Sequence, residues 1–481
     1  MVYVPKQTLT VRDGGVGIVS TATALPLVIG VTNGGVANTL YQYTDPNAML
    51  DLHLGGPAVE LAMPVIRFGG GCLLLKTASS TAATNSAISK VAAGASTGTV
   101  TVSGSGRLAY RARVRIRGTG TLGTAKFDYS LDNEFSYSEI YTVPAGGTFA
   151  IPGTGLTLTF VPGAGAVFFL EGDAHTFTST PAHYTTADLG TAITALLAQM
   201  GQRRIRKVYF SGKNSSATAA ATMAAAAASH MAILSTRDSF ARGLIDGGDD
   251  TTTNWRTSFA AFSDLRLGVV YGDADITSLL NVAGNGTPRV PAVNVVAERA
   301  SVAGLSENLG RYMSGPLRGV RGISHDEGTN QQFTEAEKVT TLRTYPSGGG
   351  FYITNGFLKS PPGSDFLYWD WGVTVDEICE TIVDKQEPWT LAKLKAKTDG
   401  TGHIDELSAV RIETMVRAAL KERLLDPINT EGERGHVSGL SYAVDRTNDF
   451  LASRVFRSSC AAVPLSPVEG IETTVGLTRS L

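Results

Sequence analysis

Arginines occupy every second position across Arg111, Arg113, Arg115 and Arg117, with Tyr110, Ala112, Val114 and Ile116 interleaved. In a strand, side chains alternate between faces, so the four guanidinium stems emerge on one side about 7 Å apart. Such a stripe could track a polyanion or meet an anionic neighbour. A downstream run offers a competing use. With Phe127, Tyr129 and Leu131 turned inward, Asp128, Ser130 and Asp132 lie beside the arginines as cross-strand partners. A second cationic pair, Arg417 and Lys421, follows Glu413 at i, i+4 spacing. It is either a surface ladder of small energetic value or a contact for an acidic partner.

Other spacings that suggest chemistry lack the context the chemistry needs. Gly118-Thr-Gly120-Thr-Leu-Gly123 matches GxGxxG, yet Thr124 to Asp132 alternates like a strand. Phosphate binding needs a helix N-terminus there, so a hairpin loop is expected instead. Gly94-Ala-Ser96-Thr-Gly98 matches GxSxG without the strand-to-helix turn of a nucleophile elbow. His325-Asp326-Glu327 has no second cluster at ligand spacing, and Asp246, Asp249 and Asp250 lack the register of a calcium loop. Both read as turns or caps. Lys393, Lys395 and Lys397 diverge around a helix and serve solubility. With 7 scattered histidines, no catalytic, cofactor-binding or metal site is expected, and the chain does not read as an enzyme.

Composition narrows the classes further. The chain has 481 residues, 41 Lys+Arg against 43 Asp+Glu and a formal charge of -2, which argues against a coat for nucleic acid or a membrane surface. Only 17% of residues are charged and 54 are glycine. A surface so weakly charged favours dense packing against like copies. Cys72, Cys379 and Cys460 share no spacing motif and read as free thiols of a reducing cytoplasm. The start lacks the pattern of a signal peptide, and no membrane span is expected.

These residues need elements to hold them. Leu25 to Val31 reads as a strand buried on both faces, Pro57 to Phe68 as a helix that Pro64 bends or shortens, and Cys72 to Lys76 as a strand. Short alternating segments from Thr77 to Tyr184 suggest an all-β insertion with strands near Leu108–Arg117, Lys126–Asp132, Glu139–Val143, Leu156–Val161, Val167–Leu170 and Thr176–Thr178. Strand and helix then alternate from Ala187 to Ala303, as in a mostly parallel sheet covered on both faces. The last third is α+β, with helices near Val373–Asp384, Pro388–Lys397 and Ile404–Leu425 and strands near Val437–Val444 and Arg454–Val463. Both ends carry alternating segments with nothing local to pair with. Val2, Val4, Leu9 and Val11 mark the first, although Pro5 interrupts it; Ile471, Thr473, Val475 and Leu477 mark the second. A strand needs a ladder partner, which another subunit can supply.

The expected fold class is therefore α/β and α+β multidomain. A core with a mixed sheet and flanking helices spans 21–85 and 185–338, a β-sandwich is inserted at 86–184, and a C-terminal α+β domain covers 339–465. Extended arms occupy 1–20 and 466–481.

The stretch Arg343-Thr-Tyr-Pro-Ser-Gly-Gly-Gly-Phe-Tyr-Ile-Thr-Asn-Gly356, continuing through Ser360-Pro-Pro-Gly-Ser-Asp365, resembles the tail sheath proteins of contractile-tailed bacteriophages and related injection systems. The likeness extends through Val375–Gln386, Ile404–Pro427 and Asn429–Gly432, and more faintly to Leu25–Val31 and Tyr41–Asn47. It implies a sheath-like core and a structural polymer of hexameric rings stacked around a tail tube, contracting to drive the tube through the host envelope. Implied partners are further copies of the chain, the tube protein, and baseplate and tail terminator proteins, with no direct nucleic acid and no stable membrane insertion. The implied location is the virion tail, after synthesis in the host bacterial cytoplasm. The two alternating end segments become the inter-subunit arms. Arg417, Lys421 and the stripe of Arg111, Arg113, Arg115 and Arg117 become candidate contacts to tube or neighbour. Competing readings are a tube or baseplate component and a receptor- or carbohydrate-binding virion protein.

Overall fold

The computed structural model describes residues 25–165, 167–201, 204–236, 239–278, 288–390 and 392–467. The arm positions Val2, Val4, Leu9, Val11, Ile471, Thr473, Val475 and Leu477 lie outside the described residues.

The chain enters through β1 (Leu27–Gly30), followed by β2 (Thr39–Tyr43), α1 (Pro46–His53), α2 (Pro57–Gly69) and β3 (Cys72–Lys76). β1 is apolar throughout because both of its faces are covered. Leu27 and Ile29 join one core cluster, while Val28 joins the other. The helix containing Pro64 is not shortened by it and runs on to Gly69. A proline removes one backbone bond, and the burial of Val59, Leu61, Ala62, Val65 and Ile66 outweighs that loss.

Nine strands follow: β4 (Thr84–Asn85), β5 (Ser89–Val91), β6 (Thr99–Gly104), β7 (Tyr110–Gly118), β8 (Lys126–Ser130), β9 (Tyr141–Thr142), β10 (Thr148–Ala150), β11 (Leu156–Val161) and β12 (Ala174–Thr180). They form two antiparallel sheets, β4-β12-β7-β8-β9 with β5 beside β12, and β10-β11-β6. Phe127 of β8 meets Phe149 and Phe160 of the second sheet at ring distances of 5.1 and 4.8 Å. The strand expected at Val167–Leu170 reduces to a single bridge between Phe169 and Gly120.

The α/β rhythm resumes with α3 (Thr186–Gln199), β13 (Lys207–Phe210), α4 (Ala217–Ser235), β14 (Arg242–Asp246), α5 (Thr252–Phe259) and β15 (Leu267–Val270). A capping box starts α3: Asp188 N–H donates to Thr185 Oγ1 at 3.2 Å while the Asp188 carboxylate accepts from Thr185 N–H at 2.9 Å. The central sheet runs β15-β14-β13-β1-β3-β2, with its first five strands parallel and β2 antiparallel at the edge. This is a doubly wound order, reversing direction between β1 and β13. α4 has the length and composition of a membrane-crossing helix. Its Ala220, Ala224, Ala227 and Met231 are instead buried with β1 and β13 residues in one of the two core clusters. A small antiparallel sheet then forms from β16 (Asp273–Ile276), β17 (Arg289–Pro291) and, after α6 (Val293–Val302), β18 (Val320–Ile323).

The last third comprises β19 (Leu342–Tyr345), β20 (Gly348–Ile353), α7 (Trp369–Gln386), α8 (Glu406–Leu420), β21 (Val437–Val444), α9 (Phe450–Ser453) and β22 (Ser458–Pro464). A π turn, Lys421–Leu425, prolongs α8. The helix expected at Pro388–Lys397 does not form. One 3-10 turn, Glu387–Trp389, is followed by extended chain in which Lys397 N–H donates to His403 O at 2.9 Å and Asp405 N–H donates to Lys395 O at 2.8 Å. Lysines at every second residue suit that pairing, since alternate residues share a face only when the chain is extended.

Candidate assembly interface

β21 and β22 form a two-stranded sheet with Leu440 opposite Ala462, Tyr442 opposite Cys460 and Val444 opposite Ser458. α8 covers one face, and Ile412, Val416 and Leu420 share a core cluster with Val437, Tyr442 and Val444. Gln386 at the end of α7 donates to Tyr442 Oη at 2.6 Å and to Ser458 Oγ at 2.8 Å, tying both strands to the helix.

The two outer edges differ. On β21, Arg417 Nε donates to Tyr442 O at 2.7 Å and Val444 N–H donates to the Glu413 carboxylate at 2.8 Å. Glu413 is 4% exposed and also receives Arg446, whose Nη1 lies 2.5 Å away. Those bonds hold the Glu413 carboxyl below the usual carboxylate range. The backbone groups of Tyr442 and Val444 therefore point away from β22, where α8 side chains take up the Tyr442 C=O and the Val444 N–H. By the alternation of an antiparallel ladder, the partners Ser458, Cys460 and Ala462 also point their N–H and C=O groups outward. Among the described residues nothing pairs with that outer edge of β22, and Ser458, Ser459, Ala461 and Val463 are exposed.

The chain leaves β22 at a fixed point. Trp371 Nε1 donates to Leu465 O at 2.6 Å, and the indole sits edge-on to Tyr368 at 4.8 Å. The route of the polypeptide beyond β22 thus starts against α7.

Of the two cations singled out on α8, Arg417 is engaged with Tyr442 and, at 3.3 Å, with Glu413. Lys421 opens the π turn, is exposed and has no ion pair among the described residues. The spacing did reveal the Glu413–Arg417 pair; it gave no sign that the pair bonds to a sheet edge.

The arginine stripe forms as read, on β7, and every member faces a carboxylate of the same chain. Arg115 makes a two-pronged contact with Asp128 at 3.0 and 2.7 Å, and Arg117 lies 3.6 Å from the same group. Arg113 pairs with Glu134, and Arg111 reaches Asp275 of β16 at 2.7 Å. Asp132 turns instead into its own loop, accepting from Ser136 N–H at 3.0 Å and Ser130 Oγ at 2.7 Å. Glu134 and Asp275 were missed. One sits in a turn, and the other is a β16 residue far along the chain.

The remaining motifs hold turns together. Gly118 to Gly123 closes the β7–β8 hairpin. Ser96 Oγ donates to Asp173 with no histidine between them. Asp326 accepts from Gly328 and Thr344 N–H groups at 2.9 and 2.8 Å, and His325 contacts Glu327 at 2.9 Å. Asp246 accepts from Asn214 and Gly248 N–H groups; burial raises its pKa to about 7. Among the described residues no group of three His, Cys, Asp or Glu is placed to hold a metal ion.

No family model matches this sequence, and neither does any curated protein. Solved structures do. A chain of the anti-feeding prophage baseplate, in its 6-fold symmetrised structure, superposes with a TM-score of 0.51 at 12% identity, covering 99% of this chain and 100% of that one. A chain of the same baseplate in the contracted state gives 0.49 at 12% identity over 98% and 97%. A sheath tail protein from Listeria innocua gives 0.47 at 12% identity over 92% and 96%. The first of these shares its fold with this chain.

Proposed function

We propose that this chain is the repeating subunit of a contractile tail sheath, assembled as stacked hexameric rings around a tail tube and joined by strand exchange between copies. The observation that carries the reading is the bare outer edge of β22 beside an edge of β21 that α8 side chains partly occupy. An extended segment with alternating apolar residues is the natural complement of such an edge. Main-chain bonds net about 0.5 to 1.5 kcal/mol each. Ordering the segment costs about 1 to 2 kcal/mol per residue. The surplus comes from side chains such as Ile471, Val475 and Leu477 entering pockets on the neighbour. The shared fold with a baseplate chain supports the same reading.

A contact of this kind is head-to-tail, and where the rotation between copies does not close it propagates as a helix. The subunit moves as one body because α7 is bolted to the central sheet. Its Asp376 meets Arg242 and Arg266, Glu377 and Glu380 meet Arg206, and Asp384 meets Arg204. Contraction then repacks rigid subunits about pliable connections. The proposed partners are the tube protein, baseplate and terminator. The proposed insertion spans 86–184 and the proposed arms 1–20 and 466–481, with β4 (Thr84–Asn85) pairing onto the insertion's β12.

Removing residues 468–481 tests the reading. The truncated chain should fold and stay monomeric, while the full chain forms tubes visible by negative-stain microscopy. Normal tubes from the truncation would refute strand exchange at this end.

A further inference from the structure

A groove of about 280 Å³ lies on the arginine-bearing face of the β-rich insertion. Its floor crosses three strands. Thr176 stands opposite Arg113 on one side and Ser89 on the other, and Thr178 stands opposite Arg111. Asn133 and Glu134 form a wall.

That wall is held in an uncommon conformation. Asn133 and Glu134 have φ of +57° and +75°, a region that side-chain-bearing residues rarely occupy. Ser130 and Asp132 fix it: Glu134 N–H donates to Ser130 Oγ at 2.9 Å, and Ser136 Oγ donates to Asp132 at 2.6 Å. Strain of this sort persists where the surroundings over-determine it, often beside a ligand. The outcome is a Glu134 carboxylate shared between Arg113 and, at 3.1 Å, Tyr137 Oη.

The polar inventory selects the ligand. Each arginine is matched by a carboxylate, Arg111 by Asp275 and Arg113 by Glu134, so the groove has no surplus charge for an anion. What remains open is neutral or directional. Arg113 Nε is shielded and unpartnered, while the exposed side chains of Ser89, Asn133 and Thr178 and the half-buried hydroxyl of Thr176 stand open to solvent. Closely spaced donors and acceptors without net charge match vicinal hydroxyl groups. The volume is just below the ~300 Å³ at which small-molecule pockets begin, room for about one ring.

We propose that this groove binds a neutral saccharide, a function separate from polymerisation. The probes are free glucose, galactose, N-acetylglucosamine and rhamnose, followed by saturation-transfer NMR on the full chain, with inorganic phosphate as the anionic control. At least one sugar should bind with a Kd of about 10 mM or tighter. Thr176→Val suits a strand, and Asn133→Gly keeps the positive φ, so both variants should fold. Each should weaken binding about tenfold. Absence of binding by all four sugars, binding unaffected by both variants, or binding of phosphate alone would overturn the assignment.

Discussion

Arg242 and Asp376 face each other across the joint between β14 and α7 through two parallel bonds of 2.8 and 3.0 Å, each side chain only 3% exposed. Arg266 adds a third contact to the same carboxylate at 3.4 Å, and the Phe366 ring lies 5.4 Å from the Arg242 guanidinium. A pair this dry is costly to break because the surviving charge loses its two-pronged partner inside the fold, and Arg266 offers Asp376 only the longer contact. Asp376→Asn or Arg242→Met alone should each lower stability by about 3–5 kcal/mol, and Arg242→Met with Asp376→Leu should recover much of it. Urea unfolding of the three variants gives the coupling directly; additive losses would show that the pair does not act as a unit.

Blocking β22 can be separated from destroying it. Ala462 N–H points outward, so Ala462→Pro removes a bond only from an incoming strand, whereas Ala461→Pro removes one from the β21–β22 ladder. The first variant should melt within a few degrees of the parent and fail to form tubes. The second should lose stability outright. Tubes of ordinary length from Ala462→Pro would mean that another surface joins the copies.

Acid should loosen the sheet around β12 through His175. Burial, reinforced by nearby Lys90, depresses its pKa from 6.5 to about 4. The unfolded chain therefore binds the proton first, and stability falls as pH drops from about 6.5 through about 4. A shift of that size corresponds to roughly 3 kcal/mol. Denaturation midpoints measured across this window should slope downward toward acid, and His175→Leu should flatten the slope. An unchanged slope would assign the acid sensitivity to other groups.

The stripe on β7 should behave as internal bracing. Asp128 receives Arg115 and Arg117 while its side chain is 5% exposed, so Asp128→Ala should cost about 1–3 kcal/mol by thermal melting. Below the melting point, tube formation should be unchanged. Loss of tubes without loss of stability would instead mark the arginine face as a contact between copies.

Local pattern made much of this legible. The all-apolar run of β1, the alternation of β7 and β8 and the long periodic stretch of α8 each encode their element within a few residues. Where the chain departs from the reading, the cause is distant or the local signal mixed. β2 was overlooked because it is a half-buried edge with polar positions, and the triple lysine of Lys393, Lys395 and Lys397 was assigned to a helix although it alternates. Pro64 broke no helix because burial on its neighbours decided the matter. Arg111 found Asp275, and Arg417 found a carbonyl of β21, through tertiary folding that no spacing rule reports. The unequal edges of the β21–β22 sheet likewise exist only once α8 has docked.

The anchor that Trp371 places on Leu465 engages a main-chain carbonyl, a group every amino acid possesses. Replacing the leucine therefore leaves the fastening in place. The point at which the chain comes off the sheet is set by backbone and indole alone, whatever side chain stands at position 465.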